Sequence, residues 1–131
     1  MKYALWDSLD NLRDLHEKKS GSFRYAFYST LWSLFGFYSR YLRWEIYSPF
    51  RVVELLTDSK TQDRYLQSDY PDPVFRDMFI EAVSLVEESE MLECLEQLRA
   101  RVFKHTGGFS IDGWVLKTPL KLIINGDTIY E

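Results

Sequence analysis

The sequence predicts an α+β domain, mostly helical, with four to five helices around an aromatic-rich central helix and a C-terminal β-hairpin. Three observations carry that expectation. The stretch from Ser22 to Tyr47 holds fifteen aromatic and large aliphatic side chains at helical spacing. On either side of it, apolar residues recur with the three- and four-residue steps of amphipathic helices. Near the end, Asn125-Gly126 lies between β-branched residues, the pairing that suits the positive φ angles of a type I′ hairpin turn.

The central segment has three seams. Ser22, Ala26, Ser29, Ser33 and Gly36 form a narrow row of small side chains along which a neighbouring helix could approach closely. Phe23, Phe27, Leu34, Phe37, Tyr41 and Trp44 form a second row, and Tyr25, Tyr28, Trp32, Phe35, Leu42 and Ile46 a third. A helix apolar over most of its circumference is expected to be buried on several sides. A membrane span is not expected, because the charge-free run between Arg24 and Arg40 is fifteen residues, whereas a span needs roughly 20.

The remaining elements follow in order. Leu5, Leu9, Leu12 and Leu15 give the opening segment an apolar stripe, with Arg13/Glu17 and Asp14/Lys18 at ion-pair spacing on its outer face. Gly21 is the expected stop and Ser22 the expected cap of the next helix. Ser48-Pro49 marks another helix start, carrying Phe50, Val52, Val53, Leu55 and Leu56. From Thr57 to Asp72 the chain is polar and reads as a mobile connector with one helical turn around Gln62 to Leu66. Asp72-Pro73 repeats the cap-and-proline signal before a helix bearing Phe75, Met78, Phe79, Ala82 and Val86. Met91, Leu95, Leu98 and Val102 mark the last helix, closed by Gly107-Gly108 with Lys104 and His105 in its final turn. After Gly108 the period becomes β-like, through Trp114 to the Asn125-Gly126 turn.

The chain of 131 residues reads as one domain spanning 1–131, long enough to form its own core without disulfide or metal. A lone cysteine, Cys94, suits a reducing compartment, and MKYALWDSLDNL lacks the apolar region of a secretory signal, so a cytoplasmic location is expected. No catalytic constellation is recognisable. The two histidines, His16 and His105, have no spacing that joins them to Cys94, and no ligand-spaced cluster points to a metal or other cofactor. The sequence therefore reads as that of a non-enzyme. A small-molecule pocket among Tyr28, Trp32, Tyr38 and His105 is the least favoured expectation.

Charge is the more informative feature. Up to Phe50 there are seven basic residues against five acidic, and from Arg51 onward nine against fifteen, which together give the net charge of −4. Between Arg76 and Arg99 the charged residues are all acidic: Asp77, Glu81, Glu87, Glu88, Glu90, Glu93 and Glu96. Such a block disfavours contact with a nucleic-acid backbone, which requires cations, and suits docking to a basic protein. Tyr65 and Tyr70, flanked by acids in the polar connector, are expected to add aromatic anchors to the same surface. The arginines of the central segment, Arg24, Arg40 and Arg43, sit among tyrosines in a composition that resembles a single-strand binding platform, but those aromatics are expected in the core.

The helix bearing Met91, Glu93, Leu95, Leu98, Arg99 and Ala100, followed by Thr106-Gly107-Gly108 and Ser110-Ile111-Asp112-Gly113-Trp114, resembles the C-terminal part of a small phage-encoded anti-CRISPR protein. That resemblance implies a non-enzymatic inhibitor that binds a nuclease. The leading expectation is thus an inhibitor or immunity-type protein using its acidic surface against a basic partner. Its alternative is a structural or assembly subunit that oligomerises through exposed aromatics.

Overall fold

A computed structural model describes residues 2–107. Among them the chain is all-helical: α1 (Lys2–Glu17), α2 (Phe23–Tyr41), a 3₁₀ turn (Pro49–Arg51), α3 (Val52–Thr57), α4 (Ser59–Tyr65), α5 (Pro73–Ser84) and α6 (Glu88–His105). The expected α+β class is therefore corrected to all-α, with six helices and no strand among the described residues. The β-like run after Gly108 and the Asn125-Gly126 hairpin lie outside the described residues. The helical count rose above the expected four to five because the supposed connector contains α4, where only one helical turn was expected.

The core lies between α1, α2, α5 and α6. Leu5, Leu9 and Leu12 of α1, Phe23, Phe27, Leu31, Leu34, Phe35 and Tyr38 of α2, Phe75, Phe79 and Ala82 of α5, and Met91, Leu95, Leu98 and Val102 of α6 are all buried. Each set follows the three- and four-residue spacing that puts side chains on one helix face. Phe35 is the centre of the aromatic packing. Its ring stacks on Phe79 at 4.3 Å and on Tyr70 at 5.7 Å between centroids, and meets Trp44 edge-on at 6.1 Å. Offset and edge-on ring pairs add to the burial of a large apolar area.

The central helix ends sooner than its apolar spacing implies. α2 stops at Tyr41, and Arg43 takes a left-handed conformation at φ 61°. Trp44 then donates its backbone N–H to the Ser39 carbonyl at 2.8 Å, turning its side chain back into the core, where the indole N–H donates to the Ser68 carbonyl at 2.9 Å. α1 and α4 close in the same way. Lys19 (φ 54°) and Leu66 (φ 54°) are left-handed, and the residue after each bonds back five positions, Ser20 to Leu15 and Gln67 to Gln62. These are Schellman closures built without glycine. Lys19 rather than Gly21 is the stop of α1, and Ser22 makes no side-chain cap. After α6, Gly107 takes the expected positive φ, at 98°.

Two further differences concern the ends of α5 and the face of α2. α5 ends at Ser84 and Val86 is 68% exposed, outside the expected stripe. On α2, only Phe35 of the third aromatic seam is buried; Tyr25 is 81% exposed, and Tyr28 and Trp32 are also exposed. α2 packs against α1, α5 and α6, in keeping with the expected burial on several sides, but no other described helix covers the arc that carries Tyr25, Tyr28 and Trp32.

Two substitutions test this packing. Phe35→Ala should lower unfolding stability by about 3–5 kcal/mol, the usual cost of emptying a buried aromatic site. Arg43→Gly should instead raise it by about 1 kcal/mol, because glycine adopts the left-handed conformation without a Cβ penalty. Urea denaturation measures both, and a destabilised Arg43→Gly protein would contradict the closure described.

Candidate functional site

The acidic surface is placed by a buried polar junction between three helices. Asp72, the N-cap of α5, accepts the Phe75 backbone N–H at 3.2 Å. Its two oxygens also accept a forked pair of bonds from Arg101 on α6, at 2.9 Å from Nε and 2.8 Å from Nη2. The Tyr38 hydroxyl of α2 donates to the same carboxylate at 2.6 Å. Beside it Ser39 and Tyr70 share a hydroxyl bond at 2.9 Å. Burial alone would push the Asp72 carboxyl up, but the bonds from Arg101, Tyr38 and the Phe75 N–H outweigh it and hold the group at about 2. Burial pushes the Tyr38 and Tyr70 phenols well above their ordinary range. The junction leaves α5 and α6 packed side by side, with their polar faces turned outward.

Of the sequence-predicted partner-binding residues, Asp77, Glu81, Glu87, Glu90 and Glu93 are exposed on or beside these two helices. Asp77 is paired with its neighbour Arg76 at 2.9 Å. Among the described residues no cation lies within ion-pair distance of Glu81, Glu87, Glu90 or Glu93. Glu81 and Glu93 converge from the two helices on Cys94. Burial, then the charges of Glu81 and Glu93, push its thiol up to about 11, so Cys94 is an unactivated thiol, half-buried with its Sγ 3.8 Å from the Met78 carbonyl.

The other predicted residues have different roles. Glu88 reaches α1, where its Oε1 lies 2.8 Å from His16 Nδ1, and Glu96 is 3.1 Å from Arg13. Both carboxylates join α6 to α1; Glu88 is half-buried, and Glu96 is exposed but paired. Arg13 also pairs with Asp10 at 2.9 Å rather than with Glu17. Tyr70 is 2% exposed and lies in the aromatic core against Phe35 and Trp44, so the expected anchor is a structural residue. Tyr65 is half-buried, its ring 5.9 Å from the Arg64 guanidinium. The expectation of a mobile connector is replaced by α4 and by a segment whose Tyr70 and Asp72 are buried.

Tyr38 is buried, whereas Tyr28 and Trp32 are exposed on the far arc of α2 and His105 is exposed at the end of α6, so the four are not gathered into one pocket. No group of three or more metal-ligating side chains occurs among the described residues, and no described helix is long and apolar enough to cross a membrane. Against known protein families, curated proteins and solved structures, the chain has no match.

The sequence reading missed Arg101 and Tyr38 as partners of Asp72. The cap signal Asp72-Pro73 was visible, but a three-helix junction has no periodicity to reveal it. The lowered Asp72 carboxyl sets a pH dependence. Its folded value of about 2 lies below the ordinary 3.8, so its contribution is complete above about pH 4 and is lost as pH falls from there through 2. Asp72→Asn should cost about 1–3 kcal/mol at pH 7, since it leaves the half-buried Arg101 guanidinium without its charge partner. The gap between the two proteins, measured by urea denaturation across pH, should narrow between about pH 4 and pH 2. A gap independent of pH would contradict the junction.

Proposed function

We propose that the chain is a non-catalytic protein-binding inhibitor whose α5–α6 surface docks on a basic partner, such as the nucleic-acid-binding face of a nuclease. The observation that carries this reading is the unneutralised set Glu81, Glu87, Glu90 and Glu93, exposed on or beside two helices joined by Asp72 and Arg101. Carboxylates of one sign on a rigid surface raise the encounter rate with a cationic partner and reject anionic ones. Fixed geometry also avoids the ordering cost that a flexible acidic tail would incur on binding. A cytoplasmic site of action and the anti-CRISPR resemblance belong to the same reading. The described part of the resembling segment is α6, whose Met91, Leu95 and Leu98 serve the core while Glu93 faces outward.

The test uses tagged protein and the variant Glu81→Lys, Glu90→Lys, Glu93→Lys, which spares Glu88 and Glu96 because they hold α1. Circular dichroism should show both folded. Affinity capture from a bacterial lysate identifies basic proteins retained by the parent, and the purified candidate is then titrated with each protein at low and high salt. The expected result is inhibition of the partner's activity by the parent, binding weakened at least tenfold by the variant, and binding weakened by salt. Equal binding of both proteins, or binding indifferent to salt, would overturn the acidic-surface reading.

A further inference from the structure

The exposed arc of α2 has a pattern that complements itself. Tyr25, Ser29, Trp32, Gly36 and Arg40 recur at three- and four-residue steps, so they form one stripe along the helix, flanked by Tyr28 and Ser33. Tyr25 is 81% exposed and Trp32 40% exposed. Arg40 and Arg43 are exposed and have no ion pair among the described residues. Arg40 folds back over Gly36, its Nη1 at 3.5 Å from the place a Cβ there would occupy. At the N-terminal half of the stripe, Ser8, Asn11 and Leu12 of α1 line a shallow groove with Tyr25, Ala26 and Ser29.

We infer that this face pairs with the same face of a second copy, the two α2 helices crossing antiparallel about a two-fold axis near Trp32 and Ser33. The stripe carries an aromatic at its N-terminal end, a cation at its C-terminal end and small residues between. An antiparallel pairing in which the numbers of facing residues sum to 65 places Tyr25 opposite the second copy's Arg40, Ser29 opposite Gly36, and Trp32 opposite Ser33. The guanidinium then meets a tyrosine ring twice, once at each end, as an attractive cation–π contact. Ser29 and Ser33 permit close approach of the backbones, Arg40 swings off Gly36 to reach the facing ring, and Trp32 lies near the centre. Such an interface is isologous and closes as a dimer without propagating into fibres. The parallel arrangement has no such logic, since it sets Arg40 against Arg40. The buried arc of α2 packs on α1, α5 and α6, so pairing through the opposite arc leaves the acidic surface of α5 and α6 uncovered on both copies.

The contact strip from Tyr25 to Arg40 is about 23 Å long at 1.5 Å per residue. One helix face on each copy is at the small end of specific interfaces, which sets the expected dissociation constant on the order of 10 μM or weaker. Sedimentation equilibrium from 5 to 500 μM should show a monomer–dimer equilibrium, weakened at least tenfold by Arg40→Glu, at an exposed position where folding should survive, and by Trp32→Ser, whose fold is checked by circular dichroism because the Trp32 ring also stacks on Phe35 at 5.7 Å. The register is tested separately in a Cys94→Ser background. Ser33→Cys should form a disulfide-linked dimer under mild oxidation, whereas Tyr25→Cys alone should not, and Tyr25→Cys mixed with Arg40→Cys should cross-link. A monomer throughout that range, a dimer unaffected by Trp32→Ser and Arg40→Glu, or efficient Tyr25→Cys homodimer cross-linking would each overturn the inference.

Discussion

The Asp72 carboxylate is the group on which the arrangement of the helices depends. It caps α5 from outside the helix, receives a forked pair of bonds from Arg101 on α6, and accepts the Tyr38 hydroxyl from α2. A carboxylate that is 8% exposed is costly to bury unless its lone pairs are satisfied, and here each oxygen has at least two donors. The apolar stripes alone would tolerate sliding and rotation between helices, because hydrophobic packing is not directional. The forked guanidinium–carboxylate pair has a fixed geometry and therefore sets the register of α5 against α6.

That register determines what the surface presents. With α5 and α6 fixed, Glu81 and Glu93 converge around Cys94, and Glu87 and Glu90 continue the acidic face. Glu88 and Glu96 lie on the other flank of the same two turns and are drawn to His16 and Arg13 of α1. One acidic block in the sequence is thus divided into carboxylates that hold helices together and carboxylates that face solvent. The helical period makes the division, since residues two apart, such as Glu88 and Glu90, point to nearly opposite sides of the helix.

Much of this was legible in the sequence. The leucines of α1, the Phe75, Phe79 and Ala82 stripe of α5 and the Met91, Leu95, Leu98 and Val102 stripe of α6 all occupy the core their spacing implied. The Asp72 cap was visible as an Asx-Pro pair. Three things were not. Lys19, Arg43 and Leu66 end helices in the left-handed conformation, where glycine is the usual signal, so the end of α2 and the inward return of Trp44 left no mark. Tyr70 sits among polar residues, and its burial depends on Ser39 and Phe35, which are 31 and 35 positions away in the chain. Tyr25 and Trp32 look like core residues by type, yet no described helix covers their side of α2. The expected hairpin falls outside the described residues, and within them the class is all-α.

The coupling of Tyr38 and Arg101 through Asp72 tests this account most directly. A double-mutant cycle with Tyr38→Phe and Arg101→Met, read by urea denaturation at pH 7, measures whether the two act as one network. The account predicts a coupling energy of about 1–2 kcal/mol, since removing either partner changes how well the other can satisfy the same buried carboxylate. Additivity within about 0.5 kcal/mol would contradict it, and would leave the helix register to apolar packing alone.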